Sequence, residues 1–294
     1  LSLLQYWYGN QSNVVRWGDA MSDPYKLDCG VRQGGLTSPR LFNLYVNKLI
    51  ERLSGADVGC SIDGLSINNI SYADDMVLLS PSVSGLRRLL KICEEYAEVN
   101  GLSYNAKKSE ILVFRGRNKE STFKPTFQLC GFPLKQVAEF RYLGHIVDEC
   151  LGDDRDIERE RRAMSVRGNM LARRFKRCSK QVKLSLFRAY CQNFYTCSLW
   201  ANYKQRTLRA LRVQYNNVLR VVLGKPRFCS ASAMFAEARI DDFYAIVRKR
   251  MASMMKRVVG STNALLSTLV CKPDSPLWAR WNDVHTRANK CVCT

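Results

Sequence analysis

Asp74 and Asp75 stand side by side in the stretch SYADDMVLLS, residues 71–80, with apolar residues on both sides. Burying a carboxylate is costly unless it is paired or bound to a cation. Two adjacent carboxylates repel each other unless a divalent ion or another cation sits with them. The pair therefore fits a metal site, and it also fits a plain turn, where aspartate bonds to nearby backbone. The flanking runs, 67–72 and 76–79, have the apolar and β-branched composition of strands. The pattern predicts a hairpin with the aspartates at its turn.

Three further stretches stand out by composition. GVRQGG, around Gln33-Gly34-Gly35, reads as a Gly-rich loop. Lys107-Lys108 places two amines just before the apolar run SEILVF. Tyr142-Leu143-Gly144 lies within FRYLGHIVD. Taken singly, these are equally an ordinary loop, a solvated face and a strand carrying a bulge.

The elements that must position these residues follow from periodicity and punctuation. The opening LLQYWYGNQSNVVRW reads as a helix end followed by a strand. Ser38-Pro39 reads as a helix start, with Ser38 as N-cap. Leu41, Leu44, Tyr45, Leu49 and Leu53 then keep helical spacing. Leu86, Leu89, Leu90, Cys93, Tyr96 and Ala97 share a face of a second helix that Asn100-Gly101 ends. SEILVF and FRYLGHIVD each read as a strand. Beyond Asp153 the strand signals stop. Ile157, Met164, Leu171 and Phe175 mark a stripe on an arginine-rich helix, and further helices are expected over 182–199, 208–223 and 240–259. The border between the mixed and the all-helical part falls near Leu151.

Charge separates the same parts. The chain of 294 residues carries a formal net charge of +20. Residues 1–150 hold 17 Lys/Arg against 16 Asp/Glu, residues 151–230 hold 19 against 5, and residues 231–294 hold 10 against 5. A positive excess confined to one segment attracts a polyanion, most often nucleic acid. No apolar run reaches the ~18 residues of a membrane helix. The 12 cysteines are scattered and read as free buried thiols. Cys271, His285, Cys291 and Cys293 fit no common zinc spacing. The chain opens on Leu1, which suggests a piece of a longer reading frame.

SYADDMVLL has the form of the Tyr-x-Asp-Asp hairpin of reverse transcriptases. GVRQGGLTSPRLFNLYVNKL resembles their Arg-Gln-Gly…Ser-Pro loop and helix. NGLSYNAKKSEILVF resembles their Leu-x-x-Asn-x-x-Lys-Ser/Thr segment, and FRYLGHIVD is similar to their Phe-x-Tyr-Leu-Gly primer grip. The four blocks keep the family's order and spacing. Together with LRALRVQYNNVLRVVLG they most resemble the reverse transcriptases of non-LTR (LINE-type) retrotransposons, over about residues 1–230. A group II intron maturase is a related alternative.

The resemblance implies an α+β fold. A right-hand polymerase palm, an antiparallel sheet with helices, would span 1–150, with part of the palm and fingers missing upstream. A basic helical thumb would span 151–230, and a helical C-terminal region of no assigned role 231–294. The implied activity is RNA-directed DNA polymerisation, extending a DNA primer on an RNA template with dNTPs by two-metal transfer with two Mg²⁺. Asp74 and Asp75 would hold the metals, and Tyr72 would pack near the primer end. Gln33 and Gly34 would lie against the nascent base pair, where a side chain on Gly34 would clash. Lys108, or its neighbour Lys107, would donate a proton to pyrophosphate. Tyr142, Leu143 and Gly144 would hold the primer backbone. Arg155, Arg159, Arg162, Arg173, Arg174 and Arg177 would lie along duplex phosphates. A retroelement protein of this kind works in the nucleus, the cytoplasm or both, with no membrane partner.

One block departs from the pattern. The family's first metal-binding aspartate, in Phe-x-Asp…Ala-Phe-Asp, has no match before Leu27; Asp19, Asp23 and Asp28 lie in turn or strand-end contexts. This implies a chain that binds Mg²⁺ weakly and is inactive alone. The alternative is a non-catalytic nucleic-acid-binding remnant or domesticated copy.

Overall fold

The computed structural model describes residues 2–27, 30–31, 34–114 and 125–290. It mixes helices with short strands and divides into two compact units, residues 1–103 and 104–294. Among the described residues the strands pair only as two-stranded ribbons, five antiparallel and one parallel. The continuous antiparallel sheet expected of a palm is not assembled among the described residues. After residue 148 the described chain is helical, as the loss of strand signals predicts.

In the first unit, helix α1 (Ser2–Gly9) leads to a small ribbon, Arg16–Trp17 with Ala20–Met21. Helix α2 (Ser38–Ser54) follows, then the hairpins Cys60–Ile62/Leu65–Ile67 and Asn69–Tyr72/Asp75–Leu78, then α3 (Val83–Asn100). The start of α2 sits one residue earlier than expected. Ser38 lies inside the helix, and Thr37 takes the cap position without a side-chain bond. The buried face of α2 is Val46, Leu49 and Leu53, while Leu44 points outward and Tyr45, half exposed, donates its hydroxyl to Asn100 O at the end of α3. It packs on Leu89, Leu90, Cys93, Tyr96 and Ala97 of α3, which bury as their spacing requires. Ser82 caps α3 by accepting from Gly85 N at 3.1 Å, and Gly101 ends it at φ 64°.

The base of the second hairpin is fixed by Asn68, which is almost fully buried. Its Nδ2 donates to Leu53 O at 2.5 Å and Val58 O at 2.9 Å, and its own carbonyl accepts from Leu79 N at 2.8 Å. One side chain thereby joins the end of α2 to both hairpins. Gly59, at φ 120°, lies so close that an added Cβ would stand 2.3 Å from Asn68 Cβ.

In the second unit, Glu110–Leu112 pairs in parallel with Lys135–Val137 beside a ribbon of Gln128–Leu129 and Phe132–Pro133. FRYLGHIVD is a hairpin and not one strand: Glu139–Tyr142 pairs with His145–Asp148. Leu143 (φ 45°) and Gly144 (φ 86°) make its two-residue turn. Two positive φ values in succession match the twist of a tight hairpin.

Helices α4 (Asp154–Arg174), α5 (Lys180–Cys191), α6 (Gln205–Leu223), α7 (Ala231–Ala238), α8 (Phe243–Val259), α9 (Ala264–Val270) and α10 (Pro276–Lys290) complete the unit. The helix expected to reach residue 199 stops at Cys191. Residues 192–204 instead fold back and insert Phe194, Cys197 and Trp200 into the core. At its centre, Tyr215 stacks on Phe235 at 5.4 Å and meets Phe187 and Phe194. Of the nine cysteines described, only Cys93, Cys191 and Cys197 are buried. Burial pushes the Cys191 thiol up to about 11.

Helices α4 and α6 cross at Gly168, where an added Cβ would stand 2.6 and 2.7 Å from the two methyls of Val218. We expect Gly168→Ala to lower stability by about 1–3 kcal/mol through overpacking. In a Val218→Ala background the two methyls are gone and only the Cβ of residue 218, at 3.2 Å, remains close. The same substitution should there lower the thermal midpoint much less, and an equal loss in both backgrounds would refute the crossing. Asn68→Ala should cost about 1–3 kcal/mol for the carbonyls it strands, read from urea unfolding.

Candidate functional site

The aspartate pair occupies the tip of its hairpin. Register pairs Tyr72 with Asp75, leaving Ala73 and Asp74 as the turn. Ala73 adopts φ 53°, a left-handed conformation unusual for a residue with a Cβ. Tyr72, Asp74 and Asp75 are all exposed. Neither carboxylate is engaged by a hydrogen bond or ion pair among the described residues. Magnesium is held by one or two carboxylates together with waters and substrate phosphates. Two free, adjacent carboxylates fit that donor set. No group of three His, Cys, Asp or Glu side chains stands ready for a metal among the described residues. Cys271 is exposed, His285 packs on Trp281 at 3.9 Å, and Cys291 and Cys293 lie outside the described residues.

Gln33 also lies outside the described residues. Gly34 is exposed at φ 81°, with open space where a side chain would start, so backbone conformation alone selects glycine there. Lys107 and Lys108 are exposed on a turn built by Asn105. The Asn105 side chain accepts from Lys108 N at 3.2 Å, and its carbonyl accepts from Ser109 Oγ at 3.0 Å.

The Tyr142-Leu143-Gly144 turn is held from behind by a cluster that sequence spacing did not reveal. Asp156, fully buried on the first turn of α4, accepts from Thr196 Oγ1 at 2.6 Å and Trp200 Nε1 at 2.7 Å. It also accepts from Arg159 Nε at 2.8 Å and from the backbone of Ile146 at 3.2 Å. His145, next to the turn, stands 3.2 Å from Asp156 and 3.6 Å from Asp153. Asp153 accepts from the backbone of Ala201 and Asn202 at 2.7 and 2.8 Å. Burial opposes the charge on Asp156, but bonds from His145, Arg159, Thr196 and Trp200 outweigh it and hold its carboxyl well below the usual range. Burial wins at Asp153, whose carboxyl is raised despite its backbone donors. The only sequence signal was an acidic run, DDRD, at a helix start, which reads first as helix-dipole compensation.

The six arginines singled out by sequence divide by partner. Arg155 pairs with Glu139 and Arg162 with Glu158, both at the surface. Arg159 is turned inward onto Asp156 and Glu160, which makes it a cation of the core. Arg173, Arg174 and Arg177 are exposed at the end of α4 and just beyond, with no acidic partner among the described residues.

Residues 3–147 match the family model described as reverse transcriptase (RNA-dependent DNA polymerase). The chain is 30% identical over 123 residues to the Pol polyprotein of type-2 retrotransposable element R2DM from Drosophila melanogaster, covering 39% of this chain and 11% of the relative. It is 29% identical over 140 residues to the Pol polyprotein of a type-1 element R2 from Popillia japonica, covering 45% and 23%. Over 278 residues it is 22% identical to a probable RNA-directed DNA polymerase from transposon X-element of Drosophila melanogaster, covering 91% and 30%. The chain thus spans 11 to 30% of the length of these relatives.

The Asp156 cluster gives stability a defined acid limb. Its folded carboxyl titrates below the ordinary 3.8, so the unfolded chain binds more protons there. The contribution is complete at neutral pH and is lost as pH falls below about 4. Asp153, raised, acts in the opposite sense and offsets part of it. We expect Asp156→Asn to cost on the order of 3–5 kcal/mol at pH 7, with the deficit shrinking towards pH ~3. Urea melts at stepped pH measure this; a pH-independent deficit would refute the assignment.

Proposed function

We propose, from the match of residues 3–147 to the reverse transcriptase family model, that this chain is the aspartate-pair and primer-holding part of a non-LTR retrotransposon RNA-directed DNA polymerase. One observation carries the reading: two adjacent carboxylates stand free and exposed at the tip of a tight hairpin inside the family segment. Mg²⁺, when bound, supplies activation of the primer 3′-hydroxyl and neutralises charge on the triphosphate and departing pyrophosphate.

The chain's residues do the rest. Asp74 and Asp75 hold the cations, and Tyr72 packs beside the primer end. Gln33 and Gly34 lie against the nascent base pair, where the absence of a side chain at Gly34 admits it. Lys108 keeps a proton for the leaving pyrophosphate. Tyr142, Leu143 and Gly144 hold the primer backbone on a turn that Asp156 and His145 fix in place. Residues 1–150 form the palm part and 151–230 a thumb. There Arg173, Arg174 and Arg177 meet phosphates of the A-like RNA–DNA hybrid, while Arg155 and Arg162 reach it only by leaving their surface partners.

A second reading, a nucleic-acid-binding chain without chemistry, is favoured by the lack of a third carboxylate beside the pair among the described residues. Primer extension separates the two. The 294-residue chain alone should not extend a DNA primer on an RNA template with Mg²⁺. Joined to the first-aspartate segment of a relative it should, and Asp74→Asn should return that protein to background. Full extension by the Asp74→Asn protein would remove the metal-holding role. No extension by the joined chain, with hybrid binding intact, would favour the second reading.

A further inference from the structure

The C-terminal helices were left without a role by sequence, yet α8 closes one side of a charged cleft. The cleft measures about 540 Å³ and lies between α8 and the end of α5 with its following loop. Three cations line it: Arg188 from α5, and Lys249 and Arg250 from α8. Asp241 is the one acid among the lining residues, and Lys249 holds it at 2.6 Å. Arg188 donates to the carbonyl of Arg239 at 3.1 Å. Arg250 donates to Asn193 Oδ1 at 2.8 Å and has no acidic partner among the described residues. Cations that converge on one opening with a single acid between them repel one another until an anion enters.

The loop that borders this cleft also borders the Leu143-Gly144 turn. Asn193 faces Arg250, and two residues later the exposed ring of Tyr195 lies 3.4 Å from where a Cβ on Gly144 would stand. Thr196, beside it, is bonded to Asp156. The cleft and the turn are thus fixed to one short, anchored segment.

We propose that the cleft of Arg188, Lys249 and Arg250 is a phosphate-binding site for a nucleic-acid strand leaving the turn, which brings the C-terminal helical region into the binding surface. Arginine forks suit phosphate oxygens, and the exposed Tyr195 ring offers a face for a base on the way. The inference rests on the reading that this chain binds nucleic acid.

The test is affinity of the 294-residue chain for a labelled RNA–DNA hybrid with a recessed 3′ end, measured across a salt series. Losing one phosphate contact lowers the slope of log affinity against log salt by about 1. Arg250→Gln should show that loss, Arg250→Lys should keep the slope, and Arg257→Gln, on α8 but outside the cleft, should leave it unchanged. Equal losses for Arg250→Gln and Arg257→Gln would mean diffuse charge and overturn the cleft. An unchanged Arg250→Gln slope, with a reduced one in Arg173→Gln/Arg174→Gln, would overturn the cleft and leave the proposed function standing. Failure of the unaltered chain to bind hybrid at any salt would overturn both. Binding of added inorganic phosphate that Arg250→Gln abolishes, with hybrid affinity unaffected by that substitution, would make it a free-anion site and overturn the nucleic-acid assignment.

Discussion

A carboxylate fully shielded from water must replace its hydration with donors, and Asp156 finds them in three separate segments. The hairpin of 139–148 supplies a backbone amide and brings His145 within 3.2 Å, α4 supplies Arg159, and the loop after α5 supplies Thr196 and Trp200. Any one of these pieces displaced would leave a buried charge short of partners, which costs several kcal/mol. The arrangement of the turn, the basic helix and the returning loop follows from that single requirement. The hydrophobic core around Tyr215 packs these helices together, but it does not by itself specify how the hairpin docks.

The local parts of this design were readable in the chain, and the non-local parts were not. The aspartate hairpin and the buried face of α3 follow from alternation and from three- and four-residue spacing, because both express contacts between near neighbours. The face of α2 was read correctly at Leu49 and Leu53, but Leu44 is exposed and Val46, which lies on the other side of the helix from it, is the residue that buries. FRYLGHIVD looked continuous because Leu143 carries no turn signal of its own; its positive φ is imposed by the pairing of Tyr142 with His145. Asp156 was invisible as a hub because Thr196 and Trp200 lie 40 and 44 residues away.

The charge pattern shows the same division. A count of +14 over 151–230 says that a polyanion is attracted, yet it does not say which arginines are free to meet one. Burial assigns them: Arg159 is taken inward, Arg155 and Arg162 pair at the surface, and Arg173, Arg174 and Arg177 stay open. Net charge measures attraction at a distance, and contact depends on the few cations without partners.

The notch at Gly168 has a mechanical consequence. With the Val218 methyls seated where a side chain would begin, α4 and α6 cannot slide along each other without a steric collision. Packed cores shift between discrete arrangements and do not deform smoothly. The open arginines at the end of α4 therefore ride on a stiff lever whose other end is keyed to the Leu143-Gly144 turn. A force applied at those arginines would reach the turn undiminished, with no helix shear to absorb it.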